Sequence, residues 1–466
     1  MMTFSLALRN LLRNRRRSLT TLSAMVVGVV ALLIFGGYSR NAILATQTGY
    51  VQYQGHLQIM RKGYFQFGSG NPTAYGIADY QRVIDAVQHD PVLKPMLAVV
   101  TPTLRLNGIA GNFSNGVSKS IVAAGVVVDD QNQMRKWDDY NSIGRSLLIE
   151  LGGTSSDSAV IGSGVARQLQ LCKPLHLDDC PSAAELGIAE KPADAPAAPA
   201  NVMALSALEQ TAAPRAPATH IELLAASVNG APNVASLNVV KAQNWGVKDI
   251  DDSLLIMHLD QAQRLLFGNA PPQVTAIQIQ LRHTNQIPVA QARLEKLLDE
   301  QFKDKSLEVL DYETLTPIYK QVIQFFDSIF GFISILIYVI VLFTVSNTMS
   351  MAVVERTAEI GTLRAIGQRR GGIRAQFVCE GALLGVFGGL LGIVVAVPLA
   401  YLINHSGLTW APPGYSYKYP LLVRVWGDHA LVFGTAFSLA VVAVVSAWWP
   451  ANRAAKLDIV DALRHA

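Results

Sequence analysis

Four long apolar runs divide the chain, at residues 18–39, about 325–351, about 377–403 and about 430–449. A helix of about 20 residues, rising 1.5 Å per residue, crosses a ~30 Å hydrocarbon core. The pattern therefore predicts four membrane spans, at 18–39, 325–352, 377–403 and 429–449. The arginines from Arg13 to Arg17 before the first run would also suit a signal peptide. That run is longer than the apolar stretch of such a peptide, and no small-x-small site follows it, so a retained helix is expected. Asp327 and Glu380 lie near the ends of their spans, from which a carboxylate reaches the interface rather than the costly bilayer centre.

Between the first two spans the periodicity changes. Tyr80 to Val87 reads as a helix with Val83, Ile84 and Val87 on one face, and 97–108 and 118–128 read as strands. Residues 159–171 read as a strand turning into a short helix through Gly162 and Gly164. The second half offers strands at 220–228 and 235–240, a helix at 259–266 and a cleanly alternating, half-buried strand at 273–282. A helix at 288–302 follows, with Ala290, Leu294, Leu297 and Leu298 on one side. Residues 181–219, rich in Ala and Pro, have the composition of a flexible insertion. Asn41 to Tyr53 extends the first span, and Pro317 starts a helix that runs into the second, so both spans continue beyond the bilayer as stalks. The fold class expected is a membrane α-helical protein of four transmembrane helices, with a large extracytoplasmic α+β domain on helical stalks.

Composition agrees: of 466 residues half are hydrophobic and 15% charged, against about 25% charged in soluble domains. The net charge of +4 says less than its placement. Arg9, Arg13, Arg15, Arg16 and Arg17 precede the first span, and Arg356, Arg364, Arg369, Arg370 and Arg374 follow the second. Arg453, Lys456 and Arg464 lie in the tail 450–466, whereas 404–428 holds only Lys418 and Arg424. The positive-inside rule then puts both termini in the cytoplasm, with 40–324 and 404–428 outside. There, an oxidising compartment favours a disulfide between Cys172 and Cys180 over two buried thiols; Cys379 reads as a packing residue.

Chemistry-bearing motifs are few. No G-x-G-x-x-G, G-x-S-x-G, H-E-x-x-H or metal-ligand spacing occurs, so no metal site and no catalytic residue are expected. The loop 353–376 is the most informative stretch. Its first part suits a short helix with Ile360, Leu363 and Ile366 along one side, ended by Gly367 and a basic, bendable Arg369-Arg370-Gly371-Gly372. Such a helix serves either as a docking surface for a cytoplasmic partner or as an interfacial element. The third span carries Gly381, Gly385 and Gly389 at four-residue spacing, with Gly388 and Gly392 beside them, as close helix packing requires. Residues 1–17 suit an amphipathic helix, with Phe4, Leu8, Leu11 and Leu12 on one face and the arginines against anionic headgroups.

The stretches LALRNLLRNRRRS, ERTAEIGTLRAIG, the glycine-rich third span and the ending PANRAAKLDIVDALR resemble the FtsX/MacB/LolE-like permeases, the membrane subunits of type VII ABC transporters. The resemblance implies that Glu355, Arg356, Glu359, Ile360, Leu363, Arg364 and Gly367 form a coupling surface for a cytoplasmic ABC ATPase, present in two copies, which binds ATP and magnesium. It also implies a second permease (homo- or heterodimer), a bacterial inner-membrane location, and work on an amphiphilic substrate such as a lipoprotein, lipid or hydrophobic compound, without a conventional pore. A periplasmic carrier, adaptor or lipoprotein and membrane lipids are the further partners implied, and no nucleic acid. An FtsX-like transmitter controlling a cell-wall hydrolase, or a membrane-anchored sensor, are the other readings. No Gly-Lys dipeptide occurs, so the nucleotide-binding P-loop is absent and the ATPase is expected on a separate chain.

Overall fold

The computed structural model describes residues 2–13, 15–141, 147–178, 180, 219–411 and 418–459. It divides into a helical unit, residues 1–44, 318–410 and 420–466, and a sheet unit, residues 45–317 and 411–419. In chain order come α1 (Met2–Arg13), α2 (Arg15–Gln54), β1 (Leu57–Arg61), α3 (Tyr80–His89), β2 (Leu97–Asn112), β3 (Val117–Val126) and α4 (Val128–Met134). Next are β4 (Ser158–Gly162), α5 (Ser163–Gln168), β5 (His220–Ala226), β6 (Pro232–Gln243), β7 (Leu254–His258) and α6 (Leu259–Phe267). They are followed by β8 (Ala276–Leu281), α7 (Ile287–Gln301), β9 (Leu307–Asp311), α8 (Pro317–Glu355), α9 (Thr357–Ala365), α10 (Arg370–His405) and α11 (His429–Lys456). Single-turn helices lie between some of these. Apart from Thr219, the Ala/Pro-rich stretch 181–219 falls outside the described residues.

The sheet runs β3-β7-β4-β6-β5-β2-β8-β1-β9, and β3 also pairs with β2. Six strands therefore close on themselves, while β8, β1 and β9 extend from β2. The length of β2 allows this: its first part pairs with β8 and its last part, Gly108 to Gly111, with β5. Along its other side Thr103 to Asn112 pairs with β3. Closure removes strand edges that would otherwise invite pairing with other chains. Val83, Ile84 and Val87 of α3, and Ala290, Leu294, Leu297 and Leu298 of α7, are buried as their spacing predicts.

The strand expected at 273–282 is not half-buried: β8 is buried at every position. It lies between β2 and β1, and its polar face is covered. Gln280 donates to the Val51 and Met134 carbonyls at 3.3 and 3.0 Å, and Gln278 accepts from Gln131. Alternation in the sequence reflects hydrogen-bonded glutamines under a helix rather than exposure to water. The turn from β4 into α5 forms as expected. A Cβ on Gly162 would fall 2.2 Å from the Asp251 carbonyl oxygen, so this glycine serves close backbone packing. Cys172 and Cys180 form a disulfide with their Cα atoms 6.1 Å apart.

In the helical unit, α2, α8, α10 and α11 are long and apolar enough to cross a membrane. The 40 residues of α2 and 39 of α8 exceed by far the ~20 residues that a bilayer needs. Both helices continue unbroken where the sequence predicts extensions. The basic exit after Gly367 is not a bend throughout: Arg369 caps α10, and Arg370, Gly371 and Gly372 already lie in its first turn.

Candidate functional site

α8 ends at Glu355 because Arg356 leaves the helical region (φ −111°, ψ 19°) and α9 starts anew at Thr357. The Thr357 hydroxyl, 3.1 Å from the Val353 carbonyl and 2.9 Å from that of Val354, donates to this last turn of α8. The side chain of Arg356 is sealed inside, only 7% exposed. Its Nη1 donates to Glu380 Oε1 at 2.9 Å, its Nε donates to Glu359 Oε2 at 3.1 Å, and its guanidinium lies over the Phe377 ring. Glu380 is 3% exposed and also accepts from Asn10 Nδ2 at 2.7 Å. Its position near the end of a span led to the expectation that it reaches the interface. It turns inward instead, because a cation and an amide meet it there.

Glu359 accepts from Arg13 Nη2 at 2.7 Å, and Arg17 Nη1 donates to Glu355 Oε2 at 2.9 Å. Partial burial works to raise the Glu359 pKa, but hydrogen bonds from Arg356 and Arg13 outweigh it and hold the carboxyl below its ordinary value. The N-terminal arginines are thus not all turned to headgroups: Arg13 and Arg17 pair with acids beside α9. Phe4, Leu8 and Leu12 lie outside the described side chains.

The seven residues singled out for docking separate into different tasks. Ile360 is 3% exposed and belongs to the core of the helical unit, and Arg356 is buried as above, so neither side chain is presented to a partner. Along the side that carries Ile360, Leu363 and Ile366, exposure rises from 3% through 37% to 80%, so only its far end is presented outward. Arg364 donates to the Leu457 carbonyl, fastening α9 to the chain after α11. Gly367 (φ +103°) ends α9 in a Schellman motif, with Gln368 N–H on the Leu363 carbonyl and Gly367 N–H on that of Arg364, both at 3.0 Å. Leu363 is 37% exposed and Ile366 80%, so these two make the apolar outer tip.

The glycines of α10 serve two faces. Cβ atoms added at Gly381, Gly385 and Gly389 would meet Ala447, Ala440 and Ala436 of α11 at 2.5, 2.9 and 3.3 Å. Added at Gly388 and Gly392 they would meet Met25 and Val29 of α2 at 2.8 and 2.4 Å. The complementary alanines of α11, Ala436, Ala440 and Ala447, and the polar partners Asn10, Arg13 and Arg17 are what the sequence reading missed. The alanines, spaced at four and seven residues, were a usable signal, whereas Asn10 and Arg13 lie more than 300 residues from Glu380 and Glu359 in the chain.

Residues 331–459 match the family of FtsX-like permease C-terminal domains. An uncharacterised ABC transporter permease of Methanocaldococcus jannaschii is 29% identical over 46% of this chain and 51% of its own. The macrolide export ATP-binding/permease protein MacB of Bdellovibrio bacteriovorus is 30% identical over 47% of this chain and 32% of its own. The chain thus spans about half or less of the length of these curated relatives. Among solved structures, the periplasmic region of MacB from Actinobacillus actinomycetemcomitans aligns with 58% of this chain and 95% of its own, at 12% identity and a TM-score of 0.29. The extracellular domain of the transporter YknZ gives a TM-score of 0.29 at 11% identity, over 55% of this chain and 99% of its own. Likenesses at that score carry no argument. The likeness therefore rests on sequence and lies in the helical unit, where residues 331–459 are similar to the C-terminal domain of FtsX-like permeases.

Proposed function

We propose that this chain is the membrane subunit of an ATP-driven transporter, coupling ATP hydrolysis by a partner subunit to movements of the sheet unit. The observation that carries the proposal is α9, a short helix between two membrane-length helices, held from beneath by Arg356 and Ile360. It offers Leu363 and Ile366 outward. An apolar tip on a rigid support is what a docking partner needs, because the support transmits displacement instead of absorbing it. The partner is a cytoplasmic ABC ATPase in two copies, binding ATP and magnesium, with a second permease completing the assembly. The sheet unit lies on the periplasmic side of a bacterial inner membrane, where the Cys172–Cys180 disulfide persists. The substrate is amphiphilic, such as a lipoprotein, lipid or hydrophobic compound, passed to a periplasmic carrier or adaptor. Unbroken helices through α2 and α8 support movement by levers rather than passage through a pore.

The test is to purify the chain with a candidate ABC ATP-binding subunit from the same genome and to measure ATP hydrolysis. Leu363→Asp and Ile366→Asp place an unpaired carboxylate in the docking face. They are expected to reduce co-purification at least tenfold while leaving the chain's own thermal unfolding unchanged. An ATPase that neither co-purifies with the unaltered chain nor changes its rate overturns the reading.

A further inference from the structure

The acids beside α9 form one connected set with the N-terminal helix, and the set has a direction. Asn10 and Arg13 of α1 reach Glu380 and Glu359 at 2.7 Å each. Arg17, in the first turn of α2, reaches Glu355, the last residue of α8, at 2.9 Å. One turn further along, the Thr21 and Thr348 hydroxyls share a hydrogen bond at 2.7 Å. Arg356 lies at the centre, bonded to both Glu359 and Glu380.

Two consequences follow from this geometry. First, α1 is joined to α9 and to α10 by its polar side. A helix whose only task was to lie on headgroups would have no use for an asparagine aimed at a buried glutamate. Second, α2 and α8 are fastened to one another where both approach α9. Displacing α9 therefore pulls on α1 through Glu359, and on the paired ends of α2 and α8 through Arg356 and Glu355.

We propose that α1 is a clamp on the coupling helix, with Arg13 and Arg17 as positioning residues that pass the displacement of α9 into α2. The proposal rests on the ATP-coupled reading above and adds to it a second input beside α9. The buried Arg356–Glu380 pair fixes the register of the clamp, because the further partners of its two charges, Glu359 and Asn10, belong to the same set. The exposed pair Arg13–Glu359 engages and releases, since its side chains remain 54% and 47% accessible to water. Arg17 is more enclosed, at 23%, which suits a link that stays closed.

The exposed pair can be tested without endangering the fold. The full chain is assembled with the same ATP-binding subunit in nanodiscs, and amide hydrogen exchange of α2 residues 45–54 is compared with and without ATP and magnesium. In the unaltered complex, nucleotide changes exchange in that segment. Arg13→Glu alone is expected to diminish the nucleotide-dependent change at least threefold, with the ATP-binding subunit still bound. The double reversal Arg13→Glu with Glu359→Arg restores the pair in swapped polarity and is expected to bring the response back to within twofold. A purely structural role would not produce that rescue. A single reversal that leaves the response intact overturns the clamp while the coupling reading stands, and so does a double reversal that fails to rescue. Failure of the unaltered chain to bind the ATP-binding subunit overturns both.

Discussion

Arg356 in the helical unit and Arg135 in the sheet unit are each 7% exposed, yet their surroundings differ in kind. Arg356 is given two carboxylates, Glu380 and Glu359. Arg135 is given the Leu147 carbonyl at 3.0 Å and the face of Trp245, while its Nε and Nη2 have no hydrogen-bond partner among the described residues. Burial pushes the Arg135 guanidinium down to about 10, with Tyr53 opposing, so it remains charged at neutral pH without an acid beside it. The difference separates two uses of a buried cation. In the helical unit the charge is a joint between α1, α9 and α10, and it makes register specific. In the sheet unit it is a long packing side chain whose charge is tolerated.

The comparison breaks most readily at Glu380. Glu380→Leu leaves Arg356 buried against Glu359 alone, and removing one partner of a buried pair typically costs ~3–5 kcal/mol. The expected outcome is a large fall in the thermal unfolding temperature of the chain in nanodiscs. Arg356→Met together with Glu380→Leu removes both charges and should recover most of the loss, since well-packed apolar replacements of such pairs are often neutral. If Glu380→Leu alone is silent, the joint is not a joint.

What could be read beforehand follows the same division. The four membrane-length helices, the extensions of α2 and α8, the faces of α3 and α7 and the cysteine pair were legible, because length, period and short sequence separation decide them locally. Gly381, Gly385 and Gly389 announced close packing, although not that Gly388 and Gly392 face a different helix. The orientation of α9 was not legible. Its period put Ile360 beside Leu363 and Ile366, but not which end of that side is buried, and the Arg356 side chain beneath it is held by Glu380, a residue 24 positions on. The exposure of β8 was misjudged for a similar reason: the glutamines that looked solvent-facing are satisfied by α2 and α4, elements remote in sequence. Long-range partners of polar side chains decide these cases, and a single sequence does not carry them.

His56 sharpens the comparison with a third solution, a buried base kept neutral. It is fully buried, its Nδ1 accepts from the Leu281 amide at 3.0 Å, and Nε2 therefore carries the proton and faces Thr284 Oγ1 at 3.2 Å. Burial pushes its pKa down to about 3, against a smaller pull upward from Asp139. The unfolded chain binds a proton near pH 6.5 and the folded one does not, so stability is full above pH 6.5 and falls as the pH drops toward 3. At pH 5 the loss should be ~2 kcal/mol. Hydrogen exchange of β1 and β8 between pH 7 and pH 5, corrected for intrinsic rates, should show that loss. His56→Gln, which keeps an acceptor for Leu281 N–H without a titrating group, should flatten it. Equal acid sensitivity in both proteins would place the weakness elsewhere.

The smallest effect expected, and of opposite sign to that at Glu380, is at Arg135. Lowering its pKa from the ordinary guanidinium value to about 10 corresponds to ~3 kcal/mol of unfavourable burial at neutral pH. Arg135→Met removes that penalty together with one hydrogen bond of ~1 kcal/mol and a cation–π contact of ~1 kcal/mol. The net outcome is between neutral and ~1 kcal/mol of stabilisation, seen as an unchanged or slightly raised unfolding temperature. The gain should also shrink above pH 10, where the folded protein begins to release the Arg135 proton while the unfolded chain still holds it. A loss as large as that of Glu380→Leu would show that Arg135, too, is a joint, with a partner that engages its Nε and Nη2 in the working protein. The two cations would then differ only in where their acceptors come from: within the chain for Arg356, and from outside it for Arg135.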